Sequence, residues 1–208
     1  MKIIPTFPIN NSSSAEEKIF QLIKKIQLDS DWLAYHSLNI SEHEYKDWAE
    51  IDFIILGPKG LFCYEVKGGR VSYNEGIWTY TDRYNKGHKT SNGPFEQAKS
   101  GTYALLEKLK KDKNIDVKTN YNFGWGVIFP DIQWGVTSPE MPKEIVCEKK
   151  KSINPEQFKK YLNNMINYWS LKNNKKNNIS KKTIDEISNY LRPNFDRAPS
   201  LVDQSNDI

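Results

Sequence analysis

The sequence predicts an α/β fold, in which strands and amphipathic helices follow one another along a single chain. The first observation behind this prediction is a pair of apolar runs, residues 51–56 and 61–66, joined by Gly-Pro-Lys-Gly; this pattern is typical of a β-hairpin. The second is helix-like spacing of apolar residues on both sides of the hairpin. Because neither run alternates between apolar and polar residues, we expect both strands to be buried on both faces.

Composition limits the class of protein. The chain has 208 residues, 38% of them apolar, and a formal net charge of +4, which suits one domain with a core and permits an anionic partner. Residues 1–14 lack a signal-peptide pattern, and no stretch is apolar enough to predict a membrane span. Cys63 and Cys147 fall in apolar runs, so we expect reduced core thiols and a cytoplasmic protein.

The first predicted helix follows the serine run at residues 12–14. Ser13 or Ser14 can cap this helix, and apolar residues recur along one side of it as far as residue 26. Glu16 precedes Ile19 by three residues, so it lies on the apolar stripe and is predicted to point toward the end of the hairpin. The alternative is that Glu16 only compensates the positive end of the helix.

The remaining elements follow from the same spacing rules. The second predicted helix begins at Pro94 and carries Gln97 on its inward side, where the alternative role is a capping or core hydrogen bond. The other predictions are strands at 32–40, 70–73, 76–80, 123–129 and 144–147, helices at 154–169 and 181–191, and polar connections at 41–48, 82–93 and 173–180. We divide the chain into an N-terminal arm (1–13), a main domain (14–170) and a linker, short helix and tail (171–208).

Three ionisable residues interrupt the apolar hairpin. Asp52 lies near the start of its first strand, and Glu65 and Lys67 lie near the end of the second, on one face. The start of one antiparallel strand adjoins the end of the next, so Asp52 and Glu65 can approach each other. Two carboxylates with the carbonyl of Val66 suit Mg²⁺ or Mn²⁺. The alternative is a structural ion pair of Lys67 with Asp52 or Glu65.

At this point the chain resembles a known family, the nuclease-related domain (NERD) family of the PD-(D/E)xK nuclease superfamily. The order of elements matches: a helix with an inward glutamate, a strand, a strand with aspartate, a strand with Glu-x-Lys, a helix and a strand. The matching blocks are residues 15–20, 36–37, 50–55, 65–69, 76–78, 94–98 and 126–130.

The resemblance implies a restriction-endonuclease-like core, with a central mixed sheet flanked by helices. It also implies that Asp52 and Glu65 bind Mg²⁺ or Mn²⁺, that Lys67 is the catalytic lysine, and that Glu16 and Gln97 support the site. The proline usually written before the aspartate is replaced here by Ile51. The implied activity is metal-dependent cleavage of DNA; the alternative is a binding module that grips DNA or a protein without cutting.

Some relatives carry a helicase after the nuclease-like part, and residues 191–201 resemble the segment that leads into it. This chain has no G-x-x-x-x-G-K-[ST] loop, so a helicase is expected only as a separate partner or in a longer form of the protein. DNA repair and defence against foreign DNA are both compatible roles. The histidines and cysteines lack zinc spacing, and no G-x-S-x-G motif occurs.

Overall fold

A computed structural model of the chain describes residues 1–10, 12–28, 32–43, 46–81, 86–175 and 177–194. Within these ranges the chain contains both strands and helices, as predicted. The strands are β1 Lys2–Ile4, β2 Leu33–His43, β3 Lys46–Gly57, β4 Gly60–Val66, β5 Arg70–Asn74, β6 Ile77–Thr81, β7 Gly87–Thr90, β8 Phe123–Ile128 and β9 Val146–Cys147. The helices are α1 Ser14–Lys25, α2 Pro94–Lys113, α3 Val117–Asn120, α4 Pro155–Asn173 and α5 Lys181–Leu191, with 3₁₀ turns at Lys143–Ile145 and Lys149–Ser152.

The central sheet is mixed and has the strand order β1-β2-β3-β4-β8-β9. Strand β3 is antiparallel to both of its neighbours, β2 and β4, whereas β1 pairs parallel with β2, and β8 and β9 continue parallel to β4. A separate meander, β5-β6-β7, forms a three-stranded sheet. The predicted α/β fold, with a central mixed sheet flanked by helices, is confirmed.

The tight β3–β4 connection fixes the centre of the sheet. Gly57 pairs with Gly60, whose φ of +136° is a conformation that favours glycine. All of β4 is buried, as are residues 53–57 of β3, which confirms the expectation of burial on both faces. Such strands read as apolar runs because neither face meets water.

Two apolar clusters cover the two faces of the sheet. The first joins α1 and α4 to alternate residues of the strands, including Phe53, Phe62 and Tyr64. The second joins α2 and α5 to the intervening residues, such as Ile54 and Cys63. Cys63 and Cys147 are free, buried thiols, as predicted, and burial raises the pKa of Cys63 to about 12.

The structure corrects several predicted boundaries. Much of the predicted connection 41–48 belongs to β2 and β3, and β7 lies within the predicted polar loop 82–93, of which residues 82–85 lie outside the described residues. β1 lies within the predicted arm and pairs with β2, and only residues 146–147 of the predicted strand 144–147 are extended. These residues become strands because they pair with other strands, and local apolar patterns do not report such pairing. Residues from 195 onward, most of the helicase-like leader, lie outside the described residues.

None of the helices in the described part of the chain combines the length and the apolar character that a membrane crossing requires.

Candidate active site

The backbone pairing of the central hairpin stops just before its ionisable residues. Pairing between β3 and β4 runs from Gly57–Gly60 to Phe53–Tyr64. One step further along the same register, Asp52 would face Glu65. There the Val66 N–H donates to Oδ2 of Asp52 at 2.7 Å, while β4 continues its pairing with β8. The Asp52 carboxylate thus accepts the hydrogen bond that a backbone carbonyl of β3 would accept in a regular pair of strands.

Burial and repulsion from neighbouring negative charges both raise the pKa values of Asp52 and Glu65. Burial raises the pKa of Asp52 well above its ordinary value, and the Glu65 charge adds to this effect, against a smaller opposing effect of the Val66 N–H. Glu65 is only 7% exposed. Its pKa is also raised by burial, although the Lys67 ammonium opposes that shift. The site therefore holds two acids that resist simultaneous ionisation.

Lys67 forms an ion pair with Glu65, the contact that the structural alternative predicted. Its Nζ lies 2.5 Å from Oε1 of Glu65 and 5.7 Å from the centre of the Tyr80 ring. Burial alone would lower the pKa of Lys67, but Glu65 raises it overall, so the lysine is charged at neutral pH. The side chain remains 27% exposed and is therefore accessible to an anionic ligand.

Glu16 caps the start of α1 and also contacts His36. It closes a capping box with Ser13 at the start of α1, and its Oε2 lies 3.5 Å from Nε2 of His36. Partial burial alone would raise the pKa of Glu16, but His36 and Ser13 lower it below its ordinary value. Its charge also acts on Asp52, Glu65 and Lys67, so Glu16 belongs to the same electrostatic cluster.

Gln97 lies in the first turns of α2 and makes a hydrogen bond to the segment that precedes the helix. Its Nε2 donates to the carbonyl of Asn92 at 3.0 Å, and the residue is half-buried. Among the described residues, no hydrogen bond or ion pair links Gln97 to Asp52, Glu65 or Lys67. The structure thus brings four of the predicted side chains into one electrostatic cluster and shows no direct contact of Gln97 with them in the described part of the chain.

Sequence reasoning gave no role to several residues around this cluster. His36 is fully buried between Phe20 and Phe53, although the resemblance included its position. The Ser37 hydroxyl donates to Glu50, and Tyr80 has a buried hydroxyl without a hydrogen-bond partner in the described part of the chain. Local sequence carries no signal for these contacts, because each depends on how separate strands pack.

The donor set fits a hard divalent cation. Asp52 and Glu65 offer carboxylate oxygens, and Mg²⁺ is usually held by one or two carboxylates with several waters. No group of three or more His, Cys, Asp or Glu residues with metal-binding geometry occurs within the described ranges. The buried pair of acids, which one lysine only partly neutralises, is the feature that a cation would stabilise.

A known protein family covers the part of the chain that contains these residues. The family model described as the nuclease-related domain matches residues 12–134, more than half of the chain. The match includes α1, the central hairpin, α2 and β8, and therefore every residue predicted for the site. No curated protein and no solved structure matches the chain.

Proposed function

We propose that this chain, which belongs to the nuclease-related domain family, hydrolyses DNA phosphodiester bonds with a divalent metal ion. The observation that carries the proposal is the grouping of Asp52, Glu65 and Lys67 where β3 and β4 stop pairing. Two acids beside a charged, partly exposed lysine supply both a cation site and a contact for an anionic substrate. The burial of two acids and a lysine in one hairpin is costly, which supports a functional role for the group.

In this proposal Asp52, Glu65 and the carbonyl of Val66 would hold Mg²⁺ or Mn²⁺. When bound, the metal supplies an activated water and offsets negative charge on the phosphate. The Lys67 ammonium, kept protonated by Glu65, orients the water or contacts the phosphate. Glu16 adds negative charge to the cluster, and Gln97 at the start of α2 is proposed as a further supporting residue.

The substrate, partners and location are proposals as well. DNA is supported by the family and by the net charge of +4, which favours polyanionic ligands. A helicase is the expected partner, in the same chain or separate, and DNA repair and defence against foreign DNA are the expected roles. The free, buried cysteines support a cytoplasmic location.

The competing proposal is a non-catalytic module that binds DNA or a protein. The direct Lys67–Glu65 ion pair favours this alternative, because a lysine that only neutralises a buried acid needs no substrate. The two proposals differ in what happens to DNA when metal is added.

The test is incubation of supercoiled plasmid with the protein and Mg²⁺ or Mn²⁺, and in parallel with chelator. We expect cleavage with metal only. Lys67→Ala should abolish cleavage and leave DNA affinity in chelator nearly unchanged, because other basic groups supply most of the affinity. Lys59→Ala, at the opposite end of the hairpin, is the control and should cut normally. An intact plasmid at all metal concentrations, with retained DNA binding, would favour the non-catalytic module.

A further inference from the structure

The alternation of side chains in β2 inverts at Ser37. Ala34 lies in the first apolar cluster, and His36 contacts Phe20 and Phe53 of the same cluster. Two residues further on, Leu38 lies in the second cluster. A regular strand would keep these alternate residues on one face. The inversion coincides with the left-handed backbone of Ser37, whose φ is +52°.

The neighbouring strand inverts at the same level. Phe53 of β3 lies in the first cluster, whereas Ile51, two residues away, lies in the second. Because His36 pairs with Phe53 and Leu38 with Ile51, Ser37 falls opposite Asp52. Ser37, the strained position of β2, and Asp52, the candidate metal ligand of β3, thus lie opposite each other in the sheet. Strained backbone persists only where surrounding contacts hold it.

Arg192 supplies such a contact. Its Nη2 donates to the carbonyl of His36 at 3.0 Å and to that of Ser37 at 2.7 Å. Arg192 follows α5 directly, and α5 is anchored in the second cluster by Ile184 and Ile187. The guanidinium therefore reaches the inverted segment from a helix that is itself fixed in the core. Hydrogen bonds from a charged donor are stronger than those between neutral groups.

We propose that Arg192 is a positioning residue, which holds the inverted backbone of Ser37 and thereby fixes Asp52 and the Glu16–His36 pair for metal-dependent cleavage. This inference rests on the proposed function. It implies that the C-terminal helix α5 contributes to activity, although the family match ends at residue 134. The side chain acts through the backbone of β2 and not through contact with substrate.

The activity arm compares Arg192→Ala with Lys182→Ala, a control on the exposed side of the same helix. We expect Arg192→Ala to lower the cleavage rate by roughly tenfold to a hundredfold, the cost of a small misplacement, while DNA affinity in chelator is unchanged. Arg192→Lys should keep part of the rate, since an ammonium also donates to more than one acceptor. Millimolar guanidinium should partly restore the alanine variant and leave the control unaffected.

A second arm does not depend on activity. The backbone amide signals of Ser37 and Val66, followed by NMR in chelator, should move in Arg192→Ala and stay in place in Lys182→Ala. Val66 is informative because its N–H donates to Asp52. If the wild type does not cut DNA, the proposed function is wrong, but the NMR experiment still tests whether Arg192 positions Ser37 and Asp52. Wild-type cleavage and unmoved amide signals in Arg192→Ala, or equal losses in both variants, would overturn the inference.

Discussion

At the residue scale, Asp52 lies in a buried position where its negative charge is costly unless a cation is bound. Its carboxylate is near that of Glu65, and burial together with this neighbour raises its pKa. Asparagine has nearly the same shape and still offers an oxygen to the Val66 N–H. The Asp52→Asn variant therefore removes the charge and keeps the hydrogen bond, so their contributions to stability can be measured separately.

We predict that Asp52→Asn melts at the same or a higher temperature than the wild type in chelator and no longer cuts DNA. It should also lose most of the stabilisation by Mg²⁺ or Mn²⁺, since a ligand stabilises only as far as it binds. Thermal melts with chelator and with metal measure both effects. If Asp52 mainly neutralised Lys67, the variant would instead lose about 3–5 kcal/mol in chelator and retain the metal shift.

The same comparison predicts a dependence on pH. The folded pKa of Asp52 lies above its unfolded value, so its contribution to stability is present below the unfolded pKa and is lost as pH rises through the folded pKa. Asparagine does not ionise, so the variant does not lose stability in this way as pH rises. In chelator, the melting temperature of Asp52→Asn minus that of the wild type should therefore grow as pH rises above about 4. A difference that shrinks with rising pH would contradict the raised pKa.

At the element scale, the 3₁₀ turn Lys149–Ser152 is the most basic short segment, within a stretch, residues 143–192, that carries twelve basic and five acidic residues. From sequence all three lysines are equivalent candidates for phosphate contact. The structure distinguishes them, because Nζ of Lys151 donates to the carbonyls of Lys143 and Val146. Lys149 and Lys150 are exposed.

We predict that Lys149→Ala combined with Lys150→Ala weakens DNA binding and flattens its salt dependence, by up to about one unit of slope for each lost phosphate contact. Lys151→Ala should mainly lower the melting temperature, since its donors serve the protein backbone. Binding titrations at several salt concentrations, with the wild type and both variants, give the slopes. A double variant with the wild-type slope would place the DNA elsewhere on the surface.

A second element-scale prediction concerns the packing of α4 on β8. A Cβ at Gly124 would lie 2.3 Å from the Trp169 ring, whose Nε1 donates to the carbonyl of Trp125. Gly124→Ala should therefore displace the indole and cost about 1–3 kcal/mol or more, as overpacking does. Gly87→Ala, where the nearest atom is 4.0 Å away, is the matched control. Denaturant unfolding measures both, and equal stabilities would show that α4 adapts freely.

At the scale of the whole molecule, the folded unit is larger than the family match. Residues beyond 134 supply β9, α4 and α5, and α4 covers one face of the sheet with Phe158, Met165 and Trp169. α5 contributes Ile184 and Ile187 to the opposite face. Without these helices, strands that are apolar on both sides would meet water.

We predict that a chain ended after residue 134 lacks a cooperative thermal transition, because both apolar clusters lose helices that cover them. Near-UV circular dichroism and calorimetry, beside the full chain, provide the measurement. A sharp transition in the shortened chain would show that the matched region folds alone.

The features that the sequence predicts correctly are local. The apolar runs and the turn between them define the β3–β4 hairpin, and its short connection sets the register that carries Asp52 toward Glu65 and Lys67. The serine cap and the apolar stripe similarly locate α1 and Glu16. In each case a few neighbouring residues contain the physical cause, so the pattern can be read without the fold.

Other features depend on contacts that no local pattern reports. β1 and β7 become strands by pairing with β2 and β6, and Lys151 differs from its neighbours only through the carbonyls of Lys143 and Val146. The left-handed Ser37 and its bond from Arg192, 155 residues away, have no local signature. Serine has no preference for that conformation, and an arginine finds its acceptors only after the sheet and α5 have packed together.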